Sequence, residues 1–189
     1  MTSFIVIGHT ARTDGEFSLN DLPGSGGRMD VLCRCVNASF FLSHDLRRDT
    51  ECYLVLCGAP DGQKTIRFTG ETVKYLSPDE RSAGALIKKA LAIPCGSEFR
   101  EAAPGVFIRK GGLERLAGEL KIAVLDEKGT DIRSADQLPD AFLLSDHQNF
   151  TADEEALIAG CPQYSVGPRC LHADHTITVL LNEFDRRRC

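Results

Sequence analysis

A chain of 189 residues, 42% hydrophobic and 26% charged, holds enough apolar material for one compact core. Its net charge of −5 excludes a globally basic nucleic-acid binder, because neutralising phosphates supplies much of such a protein's affinity. No apolar run is long enough to span a bilayer, and no basic stretch followed by an apolar one opens the chain, so a cytoplasmic protein without membrane contact is expected.

Phe4-Ile-Val-Ile-Gly8 is a short apolar run suited to a buried strand. An irregular, Gly-rich stretch follows from His9 to Gly27. From Arg28 to Ser43, apolar residues occupy nearly every face, which predicts a helix buried on several sides. Cys52–Cys57 reads as a central strand, and Thr65–Thr69 alternates like an edge or half-buried one. Ser77-Pro78-Asp79-Glu80 predicts a helix start with Ser77 as N-cap and Pro78 at the first helical position. A strand over Val106–Ile108, a helix over Leu113–Leu120 and a strand over Lys121–Leu125 come next, with Glu127–Thr130 turning after it. Strand, polar turn, helix, strand, Gly-Pro turn and helix then fill residues 140–184. Thr151-Ala-Asp-Glu154 carries the capping-box pattern, and Gly160 ends that helix. The last helix, His175–Phe184, has more apolar surface than an exposed helix needs. Alternating strands and helices predict an α/β fold with a mainly parallel sheet. Such sheets build small-molecule pockets from loops at their carboxyl ends.

The eight cysteines contain no CxxC pair, and most lie in or beside apolar stretches, where a free thiol behaves as a small hydrophobe. His172 and His175 are spaced for one helix face, but no third ligand is nominated, so no metal is expected. The loop Leu171–His175 is expected to cap the last helix through Asp174 or Thr176. Pro23-Gly-Ser-Gly-Gly-Arg-Met-Asp30 lacks both the Walker ending and the third glycine of a dinucleotide fingerprint. It reads either as a flexible loop before a helix or as a bare backbone that a nucleotide approaches, with Arg28 at its end. Asp61, in Cys57-Gly-Ala-Pro-Asp-Gly62, follows a central strand, where site residues of open α/β sheets gather. Leu143, Leu144, Gly167, Pro168 and Leu171 read as core and turn residues. Local RNA contacts, if made, fall to Arg47-Arg48, Lys88-Lys89, Arg109-Lys110 and Arg186-Arg187-Arg188.

The string from Phe17 to Val36 (Phe-Ser-Leu-Asn-Asp-Leu-Pro-Gly-Ser-Gly-Gly-Arg-Met-Asp-Val-Leu-Cys-Arg-Cys-Val), with Phe142–His147, Tyr164–Pro168 and Leu171–His175, resembles the archaeal tRNA pseudouridine N1-methyltransferases of the SPOUT class. The resemblance implies a single domain over 1–189. Its N-terminal half (1–120) carries RNA-facing elements, and its C-terminal half (121–189) is a trefoil-knotted core. It further implies a homodimer without metal that binds S-adenosylmethionine (SAM) and tRNA. Leu143, Leu144, Gly167, Pro168 and Leu171 would hold the cofactor among aliphatic side chains and backbone, with Cys189 folding back against it.

The implied reaction is methyl transfer to N1 of a T-loop pseudouridine. N1 is a poor nucleophile while protonated, and a carboxylate can remove that proton directly or through water; Asp61 is the first candidate, with Asp30 and Asp146 as rivals. Arg28 would stabilise charge on the uracil carbonyls or contact a phosphate. Rival readings are another SPOUT reaction on RNA (ribose 2′-O or a ribosomal base), a non-catalytic RNA-binding protein of the same fold, and a doubly wound oxidoreductase.

Overall fold

The computed structural model describes residues 1–188; the expectation for Cys189 lies outside them. Eight strands form one sheet in the order β4-β5-β3-β2-β1-β7-β6-β8. At its centre β1 (Thr2–Gly8) pairs in parallel with β2 (Thr50–Leu56) and with β7 (Ala141–Ser145), and every residue of β1 is buried. Burial on both faces is what its continuous apolar text predicts. Beyond β7 the parallel run continues through β6 (Ile122–Asp131) to β8 (Gln163–Ser165). On the other side β3 (Lys64–Thr69), β5 (Val106–Lys110) and β4 (Arg100–Ala103) add antiparallel pairings. The architecture is α/β, with a mostly parallel sheet and helices on both faces.

Side chains alternate across this sheet. Phe4, Val6, Phe142 and Leu144 point to the layer packed by α1 (Met29–Phe40), α2 (Glu80–Leu91) and α5 (Ala173–Arg187). Ile5, Ile7, Val55 and Leu143 point to the opposite layer, with α3 (Leu113–Glu119) and α4 (Ala152–Ile158). The apolar surplus of α5 goes largely into the core. Ile177, Leu180 and Leu181 are buried, and Phe184 stands edge-on to Phe142 with centroids 5.8 Å apart.

Four local expectations are corrected. Residues 65–69 lie inside the sheet, between β2 and β5, because β4 and β5 form a hairpin outside them. The N-cap of α2 is Asp79 rather than Ser77: its carboxylate accepts the Ser82 N–H at 2.7 Å, which leaves Pro78 before the helix. The text from Glu127 to Thr130 belongs to a lengthened β6 rather than to a free turn. The last helix starts at Ala173, and neither Asp174 nor Thr176 caps it; the Thr176 hydroxyl donates back to the His172 carbonyl at 3.1 Å. The capping box of α4, Thr151 with Glu154, forms as its spacing requires.

Two chain segments cross closely at the far edge. Leu125 and Thr130 both lie opposite Tyr164, so residues 126–129 step around β8. A Cβ added to Gly129 would stand 2.7 Å from backbone atoms of Gln163 and Tyr164. At the end of α5, the Arg187 guanidinium donates to the carbonyls of Ile132 and Ala135, both at 2.7 Å, and ties the last helix to the segment after β6. Gly129→Ala should therefore lower stability by about 1–3 kcal/mol through overpacking against backbone. Urea unfolding measures this, and an unchanged midpoint would contradict the crossing.

Candidate active site and cofactor cleft

The carboxyl ends of β7 and β8 open onto a cleft of about 710 Å³, within the usual range for a small-molecule site of roughly 300–1,000 Å³. Its apolar wall comprises Leu125, Leu144, Tyr164, Val166 and Leu171. Asp126, Glu127, Asp146 and Glu155 give it an acidic side, and Arg28 and Val31 close it from the start of α1. Gly167 lies in a turn held by the Ser165 hydroxyl, which donates to its carbonyl at 2.7 Å and accepts its N–H at 3.2 Å. A Cβ at Gly167 would meet nothing within 4 Å, so the turn offers bare backbone to the cleft. Leu171 is 39% exposed, an apolar side chain turned to the opening. Leu144 shares that wall, whereas its neighbour Leu143 is fully buried in the opposite core layer, as strand alternation requires. Pro168 is exposed and stands outside the lining.

Arg28 reaches this position through unusual backbone. Gly27 and Arg28 both have left-handed φ, 65° and 63°. Only glycine fits at 27, since a Cβ there would lie 1.9 Å from the Thr10 carbonyl oxygen. The strain at Arg28 is offset by a two-pronged bond to Asp30, with Nε to Oδ1 at 3.0 Å and an amino group to Oδ2 at 3.1 Å. Arg34 adds a third donor to Asp30 at 3.0 Å. Burial works against the ionised Asp30, but these guanidinium bonds outweigh it and hold the carboxyl below its ordinary value.

Asp61 stands elsewhere. Its carboxylate accepts from Lys64 Nζ at 2.7 Å and lies in a neighbouring groove with Lys64, Cys95 and Lys110. The structure thus brings Arg28 and Asp146 into one cleft and leaves Asp61 outside it. Between them runs the Thr10–Thr13 segment, which carries close approaches from Gly27 and Gly58 and whose Thr13 hydroxyl accepts the Asp61 N–H at 2.9 Å.

Sequence reasoning missed the group that organises the cleft wall. His9, directly after β1, has Nδ1 2.9 Å from Asp146 Oδ1 and Nε2 2.9 Å from Glu154 Oε2. Its backbone N–H donates to Asp146 Oδ2 at 3.0 Å. A histidine following a central strand was the available signal, but its two partners lie more than 130 residues away. Close by, burial first, then the charges of Glu154 and Asp146, push the Cys57 thiol up to about 12, so it is an inert thiol at neutral pH.

Most of the basic clusters are engaged within the fold. Arg109 is buried and pairs with Glu119 at 2.7 and 2.8 Å. Arg47 pairs with Asp185 through both terminal nitrogens. Arg48, Lys89, Lys110, Arg186, Arg187 and Arg188 remain exposed.

A mostly parallel α/β sheet with an aliphatic, glycine-turned cleft at its carboxyl edge has its opening where ligands of open α/β folds gather. The family model described as "Putative SAM-dependent RNA methyltransferase" matches residues 1–189, and the chain belongs to that family. A Methanocorpusculum labreanum protein named tRNA (pseudouridine(54)-N(1))-methyltransferase is 63% identical, with 99% of this chain and 98% of the relative covered. A Methanospirillum hungatei protein of the same name is 57% identical, with 100% and 98% covered. Among solved structures, Archaeoglobus fulgidus Nep1 bound to S-adenosylhomocysteine has a TM-score of 0.67 at 14% identity, covering 99% of this chain and 98% of that one, a likeness of fold.

Asp30→Asn leaves two guanidiniums without their shared carboxylate, and should destabilise the protein by about 1–3 kcal/mol at pH 7. Because the folded value is depressed, Asp30's contribution is complete above the ordinary carboxylate value of 3.8 and fades as pH falls through the lower folded one. Melting curves from pH 2 to 7 should therefore show wild type and variant converging in acid. A constant gap would contradict this assignment.

Proposed function

We propose that this chain transfers the methyl group of SAM to N1 of pseudouridine 54 in tRNA. The observation that carries the reading is the 63% and 57% identity, along essentially the whole length, to proteins named for that reaction. The cleft fits the cofactor: Leu125, Leu144, Val166 and Leu171 supply an aliphatic clasp, and the open turn at Gly167 supplies backbone groups. Bound there, SAM supplies an electrophilic methyl carbon.

The chain's own residues must orient the uracil ring and remove the N1 proton. Asp30 is buried, with both oxygens held by Arg28 and Arg34. Asp146 has a side chain 1% exposed, and its oxygens accept from the His9 ring, the His9 N–H and the Gln148 N–H. Asp61 alone of the three is open to solvent, with a side chain 51% exposed. Proton abstraction is therefore assigned to Asp61, with the uracil lying across the Thr10–Thr13 segment. Arg28, 39% exposed on the cleft side, is assigned the developing charge on the carbonyls or a backbone phosphate.

The cofactor half, beginning at residue 121, is proposed from the class resemblance to be a trefoil knot. RNA-facing elements are assigned to residues 1–120. A homodimer is proposed from the class resemblance, with Val179 on α5, 38% exposed, as apolar surface available to it. Free thiols throughout the described residues support a reducing, cytoplasmic setting.

Incubation with methyl-labelled SAM and tRNA that carries or lacks pseudouridine 54 tests the reading. Label is expected only on the first, in N1-methylpseudouridine after digestion; label on ribose, or on both RNAs equally, would overturn it. Asp61→Asn should lower kcat by roughly 10²–10⁴ and leave SAM affinity unchanged. A variant with wild-type turnover would remove Asp61 from the proton step.

A further inference from the structure

The loop from Asp146 to Thr151, between β7 and α4, supplies much of one cleft wall: Asp146, His147, Gln148, Asn149 and Phe150 all line it. Both of its ends are pinned to a single ring. At one end Asp146 Oδ1 takes the His9 Nδ1 contact and the Gln148 N–H (3.0 Å), and Oδ2 takes the His9 backbone N–H. At the other end Glu154 Oε2 takes the His9 Nε2 contact and the Thr151 N–H (2.8 Å), so the capping box of α4 closes through the same carboxylate. The Ser145 hydroxyl closes the turn internally by donating to the Gln148 carbonyl. His9 does not itself line the cleft, and its side chain is only 8% exposed.

A satisfied core histidine needs one donor and one acceptor partner. Here both ring nitrogens face carboxylate oxygens, and the form of the ring that donates to both is the one with a proton on each nitrogen. Such charge-assisted bonds are roughly twice as strong as neutral ones, and here they are nearly free of water.

We propose that His9, bridging Asp146 and Glu154 through both ring nitrogens, is the positioning residue that holds the 146–151 loop in its cofactor-binding shape. This rests on the reading of the cleft as the SAM site. Burial opposes the charge on His9, but the hydrogen bonds and charges of Asp146 and Glu154 outweigh it and raise the pKa above the ordinary 6.5. The other charged or titratable groups around the bridge are His147, whose Nδ1 is 3.2 Å from Asp146 Oδ2, Cys57, whose thiol feels both carboxylates, and Arg28, which feels Asp146. Cys57 stays protonated and Arg28 stays charged across neutral pH. With a raised folded value, the bridge is complete below pH 6.5 and is lost as pH rises through that folded value. SAM affinity should fall over the same rise.

The test is calorimetric titration of SAM into wild type, His9→Gln and His9→Asn, from pH 6 to 9. Gln restores a donor towards Glu154 and Asn one towards Asp146, so neither bridges. Each His9 variant should raise the Kd for SAM roughly 10- to 100-fold at pH 7 and flatten its pH dependence. The KM for SAM should rise with smaller loss of kcat at saturation. A merely structural histidine would lower the melting temperature of the ligand-free protein and leave the Kd of the folded protein alone, which would overturn the proposal. Nitrogen-15 spectra of histidine-labelled wild type need no variant: both His9 ring nitrogens should carry protons at pH 7, and a neutral ring would also overturn it. Wild type that binds no SAM at all would defeat the cofactor reading of the cleft, a result separate from failure of the variants to differ.

Discussion

The cleft depends on the parallel pairing of β1 with β7. Ile7 lies opposite Ser145, and the Asp146 N–H continues the ladder to the Ile7 carbonyl at 3.0 Å. That register sets the ends of two strands level, so the next residues out, His9 and Asp146, meet as side chains. It also decides which leucine of the pair 143–144 faces the cleft. Slipping the register by one residue would turn Leu143 to the cleft and drive Leu144 into the opposite layer. Close packing on both faces of β1 makes that slip costly, so the most buried strand of the molecule guards the geometry of its most functional edge.

Around that edge, charge is arranged locally and paired. Asp30 gathers Arg28 and Arg34, His9 gathers Asp146 and Glu154, and Arg109 is closed off by Glu119. For a chain of net charge −5, this bears on how a polyanion is met. Arg47 and Arg109, which look in the sequence like contributors to basic patches, hold the fold together. Exposed cations, among them Arg48, Lys89, Lys110, Lys128, Arg169 and the Arg186–Arg188 run, lie on several separate elements. For the proposed tRNA substrate, this favours recognition by shape and base contacts over a broad basic field.

The order of strands and helices was legible because continuous apolar runs and local caps report short-range physics. The buried run of β1 and the Thr151–Glu154 box are the clearest cases. What local patterns do not carry is partner choice. Residues 65–69 read as an edge or half-buried strand because their polar alternation is the same whether or not the hairpin of β4 and β5 covers them. Ser77 and Asp79 are both good caps, and only the bond from Ser82 chooses between them. At the site, Leu144, Gly167 and Leu171 were reachable through motif resemblance, and they do line or open onto the cleft. His9 was not reachable, because its meaning lies in two carboxylates that the sheet brings in from far along the chain. Separation of Asp61 from Arg28 into neighbouring hollows was equally invisible, since it depends on how the Thr10–Thr13 segment packs between two distant turns.

The central claim is that the carboxyl edge of β7 and β8 is where the methyl donor sits. A crystal structure with S-adenosylhomocysteine measures this most directly. The account predicts the ligand between Leu144, Leu171 and the Gly167 turn, bounded by the loop that His9 secures. Ligand density in the Asp61 groove instead, or none at the β7–β8 edge under saturating conditions, would contradict it.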